Sequence, residues 1–81
     1  MNREMLRQRL AQAGEHIVLG EHHIVRQQEI VAELERDGHD TAQARRILAI
    51  FKETQVVHIA VRDQLRRELD ALDAADPPPP R

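Results

Sequence analysis

Five histidines in 81 residues are the side chains here best suited to chemistry, because an imidazole can ligate a metal, carry a proton or change charge near neutral pH. His16 and His23 are seven residues apart, which places them on one side of a helix, with Glu15 and Glu21 close by. Zinc sites on helices use histidines four residues apart in patterns such as H-E-x-x-H, and that spacing does not occur. The neighbours His22 and His23 must diverge, and His22 falls on a polar face. These spacings predict no metal and no cofactor. His58 is different, lying in line with Phe51, Leu65 and Leu72 on an apolar face. With Thr54 and Gln55 nearby and Gly20 opposite, it is expected to form a buried polar layer that fixes helix register. The same layer could sense pH or wall a small ligand site.

Other reactive chemistry is scarce. The chain has no serine, cysteine or tyrosine, so the usual activated nucleophiles are missing, and its three glycines are too far apart for a phosphate loop. Glu29 and Glu33 share a wet helix face, where solvation is the default role of a carboxylate. No group of residues assembles an acid, a base and a closed pocket, so an enzyme is not expected. Arginine supplies 11 of the 12 basic residues, and the doublets Arg45-Arg46 and Arg66-Arg67 could meet nucleic-acid phosphates. Glu53, Asp63 and Asp70 interrupt that face, no aromatic is available for base stacking, and the net charge is −2. A solvated mixed-charge surface is the favoured reading, with nucleic-acid binding as the alternative.

The elements that position these groups follow from sparse punctuation. Proline is absent before position 77, and Val, Ile and Leu recur at helical spacing, never alternating over a strand length. The break lies at Arg36-Asp37-Gly38-His39-Asp40-Thr41. Gly38 suits the left-handed position after a helix end, and Asp40 suits an N-cap with Gln43 completing a capping box. The reading is all-α: an antiparallel, coiled-coil-like hairpin over 1–75, with helices at about 2–36 and 41–75 and a turn at 37–40. Residues 76–81, with four consecutive prolines, form a short extended tail.

Heptads set the expected facing. On the first helix Leu10, Ile17, Ile24 and Val31 alternate with Leu6, Ala13, Gly20, Gln27 and Leu34. On the second, Ile47, Thr54, Val61 and Glu68 alternate with Ala44, Phe51, His58, Leu65 and Leu72. Folding about residue 39 pairs Leu34 with Ala44, Gln27 with Phe51, Gly20 with His58 and Leu6 with Leu72. This seam leaves apolar flanks uncovered, among them Val18, Val25, Ile50 and Val57, and Val61 at the seam's edge is a further interface candidate. Leaving such side chains in water forgoes roughly 1.5–3 kcal/mol each. A homodimeric four-helix bundle with those five residues at its interface is the expected answer.

Two stretches resemble known groups. The segment from Leu34 through Gly38, Asp40 and Thr41 to Ala44 is similar to an L-x-x-x-G-x-D/N-T-x-x-A hinge in short uncharacterised bacterial two-helix proteins, chiefly alphaproteobacterial. Gly20-Glu21-x-x-Ile24-x-Arg26-Gln27 and Leu48-x-x-Phe51 resemble the same group, so the likeness spans about residues 10–70. It implies a hairpin and no particular activity. His23-Ile24-Val25-Arg26 resembles the phosphoacceptor box of histidine-kinase dimerisation domains, which are also dimeric helical hairpins. Ile24 stands where an acidic residue typically follows the phosphoacceptor, and Gln27-Gln28 where Thr-Pro or Asn-Pro is typical, so phosphotransfer is an alternative by architecture only. The polar start and the lack of a long apolar run predict a cytoplasmic protein without a membrane span. Its expected role is a non-enzymatic interaction or regulatory module, with a histidine-centred ligand site as a further alternative.

Overall fold

The computed structural model describes residues 2–75 and consists of two α-helices packed against each other, α1 (Arg3–Arg36) and α2 (Ala42–Ala75). The expected tail at 76–81 lies outside the described residues. Each helix has 34 residues, about 50 Å at 1.5 Å per residue. Among the described residues no helix is long and apolar enough to cross a membrane.

Local chemistry explains where the helices begin and end. Asn2 caps α1, its side-chain oxygen accepting the Met5 amide at 2.8 Å. At the other end the Gly38 amide donates to Glu35 O and the His39 amide to Leu34 O, the paired bonds of a Schellman stop. Gly38 has φ +73°, a conformation that a Cβ would strain. The start of α2 departs from the capping box expected at Asp40 and Gln43. Thr41 is the N-cap, because its carbonyl accepts the first helical bond from the Arg45 amide. Asp40 acts one residue further out, accepting the Ala42 amide at 2.9 Å in an Asx turn. Cross-helix ion pairs tie both ends of the hairpin, Glu35–Arg45 beside the turn and Arg3–Asp73 at the open end.

Packing between the helices differs from the expected seam in two ways. The inner row of α2 that alternates with Ala44, Phe51, His58, Leu65 and Leu72 is Leu48, Gln55, Arg62 and Leu69. Thr54, Val61 and Glu68 are exposed, and only Ile47 of the expected row is half-buried. The facing is also shifted by one helical turn: Phe51 meets His23 instead of Gln27, and His58 meets His16 instead of Gly20. The physical reason is visible along the chain. The expected row would bury the Glu68 carboxylate, whereas the observed row buries Leu69 with Leu6, Ala13 and Leu65. Thr54 satisfies its hydroxyl on the Ile50 carbonyl of its own helix, so nothing draws it inward.

The interior therefore has three zones. An apolar cluster of Leu6, Ala13, Leu65 and Leu69, backed by Leu10 and Leu72, closes the open end. Ile24, Val31 and Ala44 are buried nearer the turn, where Gln27 Nε2 donates to Ala44 O at 2.9 Å. Between them lies a polar waist built on Gly20 and Gln55.

Candidate functional site

The waist begins with a glycine. A Cβ at position 20 would collide with the Gln55 carboxamide, so only glycine lets that side chain lie flat against α1. Gln55 is buried and its Nε2 donates to Ile17 O at 2.8 Å, spanning the two helices. Its Oε1 lies 3.4 Å from His58 Nδ1, a long contact in which the ring donates when Nδ1 carries the proton. No buried side-chain nitrogen or oxygen among the described residues lacks a hydrogen-bond partner. A satisfied layer of this kind is specific to one register, since moving either helix by a turn would strand the amide.

Beside this layer the helices part into a cleft of about 150 Å³. α1 lines it with His16, Leu19, Gly20 and His23, and α2 with Phe51, Thr54, Gln55 and His58. The His16 and His58 rings are tilted with centroids 5.4 Å apart, and His23 stacks on Phe51 at 5.5 Å. Three of the five histidines thus converge on one cleft, from both helices. Of the expected polar layer, Gln55 is buried and Gly20 and His58 are half-buried. Thr54 is not part of that layer: it is exposed and stands at the rim of the cleft.

The convergence of His16 and His23 with His58 was not legible in the expected register, which set His58 against Gly20 and Phe51 against Gln27. The signal that could have found it is the spacing Leu48, Gln55, Arg62 and Leu69, whose last member is a better core residue than Glu68. Among the described residues no three His, Asp or Glu side chains are grouped so as to hold a metal ion. His22 is exposed on the outer side of α1.

The remaining sequence-predicted residues lie on the surface. Val18, Val25, Ile50, Val57 and Val61 are between 45% and 60% exposed. They do not share one face: Val18 and Val25 sit on the flank of α1 opposite His16 and His23. Leu19, Val56 and Ile59 are exposed as well. Of the arginine doublets, Arg45 is engaged with Glu35 and with the Thr41 hydroxyl, and Arg67 donates to the Gln64 side-chain Oε1. On α1 the Glu29 hydrogen bond, then the charge of Glu33, raises the Arg26 guanidinium pKa above its ordinary value. No known protein family, curated protein or solved structure matches the chain.

Proposed function

We propose that this chain is a non-enzymatic helical interaction module that works through its surface, by self-association into a four-helix bundle and by contact with other proteins. The observation that supports this reading most directly is an imbalance of apolar side chains. Among the described residues seven hydrophobic side chains are buried, whereas nine large ones are exposed. Scattered apolar residues are normal on a surface, but here the exposed set outnumbers the core. The accessible surface is 6247 Å², against roughly 5,000 Å² for a compact monomer of this mass. A standard interface buries about 800 Å² per partner, which is less than that excess. Two hairpins packed side by side would cover the flanks with no change inside either hairpin.

The test is association in solution. Val57→Asp places a charge among the exposed valines without touching the buried layers, and it is expected to give monomers or unfolded chains. Arg46→Asp, on the polar face, is expected to leave association intact. If both variants sediment like the parent chain, the apolar flank is not what this protein uses.

A further inference from the structure

The two flanks of the hairpin differ sharply in charge. On the flank away from the cleft, the outer row of α1 is Arg7, Gly14, Glu21, Gln28 and Glu35. The matching row of α2 is Arg45, Lys52, Ile59, Arg66 and Asp73. Seven of these ten residues are charged, and both cross-helix ion pairs draw on them. On the cleft flank the rows are Arg9, His16, His23 and Ile30, and Ile47, Thr54, Val61 and Glu68. Only Arg9 and Glu68 carry fixed charge, and both lie toward the open end. Outside these rows the same flank exposes Leu19, Ile50 and Val57.

We infer that a second copy of this chain covers the cleft flank, so that the His16–His23–His58 cleft is closed by the partner and association is released by protonation. The inference rests on the self-association proposed above and adds the face and its proton dependence. Three observations carry it. The cleft flank is apolar on both helices, and it is the side with the fewest fixed charges to desolvate. The area needed for a stable dimer is within the surface excess of the hairpin. Finally, the cleft is open on one side, and its lining contains no carboxylate, lysine or arginine.

The charge chemistry follows from what surrounds the rings. The titratable groups in the cleft are His16 and His23 from α1 and His58 from α2. Fixed charges of both signs lie around them, Glu15 next to His16 and Glu21 two residues before His23 among them. Arg9 shares a groove with His16, Arg62 stands one turn beyond His58 beside Asp63, and Arg26 one turn beyond His23 is held by Glu29 and Glu33. A two-fold interface brings the same set from the partner, doubling the number of imidazoles around one contact. Neutral rings pack as flat apolar surface, whereas protonated rings repel one another and must be desolvated. Burial at the interface disfavours the charged ring, so the dimer binds fewer protons than two monomers. Association is therefore strongest with the rings neutral and weakens as acid protonates them.

The experiment is sedimentation equilibrium of the full chain at pH 7.5 and 5.5 in fixed salt, with circular dichroism confirming helicity at both. A dimer at pH 7.5 whose dissociation constant rises by roughly tenfold or more at pH 5.5 is the expected result. The triple variant His16→Gln, His23→Gln, His58→Gln should lose that pH dependence, and the pair His22→Gln, His39→Gln, outside the cleft, should keep it. A dimer of equal strength at both pH values overturns the inference and leaves self-association standing. A monomer at both overturns the two together. Should the triple variant misfold, His23→Gln alone must still reduce the pH dependence, and an unchanged profile would count against the cleft.

Discussion

At the scale of single residues, the contrast between Gly14 and Gly20 shows how close packing is read from a glycine. Both lie inside α1, where alanine is intrinsically better by about 1 kcal/mol. A Cβ at position 14 meets nothing within 4 Å, so Gly14→Ala is expected to stabilise the protein by up to that amount. A Cβ at position 20 runs into the movable carboxamide end of Gln55, so Gly20→Ala is expected to push that amide off the Ile17 carbonyl, a loss of about 1 kcal/mol after the helix-propensity gain. In a Gln55→Ala background the same substitution should become neutral or favourable, and urea denaturation of the four combinations reads the coupling. The pairing of a small residue with a polar one at the waist was partly legible: Gly20 and Gln55 were both assigned to it from the sequence. What the sequence did not reveal is that Gln55, and not His58, fills the space over Gly20. That depends on a one-turn shift in facing, and single-residue patterns say nothing about axial alignment.

At the scale of elements, the hairpin itself is well encoded. An uninterrupted helical periodicity, a glycine at the left-handed position and an Asx residue two positions later leave few alternatives to two helices and a tight reversal. The row assignment on α2 was harder, because the row that holds Ile47 and Val61 and the row that holds Leu48 and Leu69 are offset by a single position. Glu68 and Thr54 decide the outcome: one resists burial and the other satisfies itself within its helix. The turn offers a direct check. Gly38→Ala must place a Cβ at φ +73° and is expected to cost about 1 kcal/mol, while Asp40→Ala loses the Ala42 bond and should cost a similar amount. Thermal melts of the two variants, at a concentration where the parent chain is in one oligomeric state, would show both losses. A double variant should lose nearly the sum if the helix stop and the helix start act independently.

At the scale of the whole molecule, the hairpin is a narrow object with a small interior. Its apolar cluster at the open end has only four buried members, and its middle is polar. Small single cores seldom stabilise a chain of this length without a staple, and cysteine is absent. Exposed Leu19, Ile50, Val57 and Val61 are consistent with a second chain in that role, packed on the side where the histidines converge and fixed charge is sparse. On this account folding and association are coupled, so thermal stability should rise with protein concentration. The most direct measurement is the molar mass of the purified chain at micromolar concentration and pH 7.5, by light scattering or sedimentation equilibrium. The account predicts a folded species of about twice 9.3 kDa. A well-folded, concentration-independent species of 9.3 kDa would contradict it.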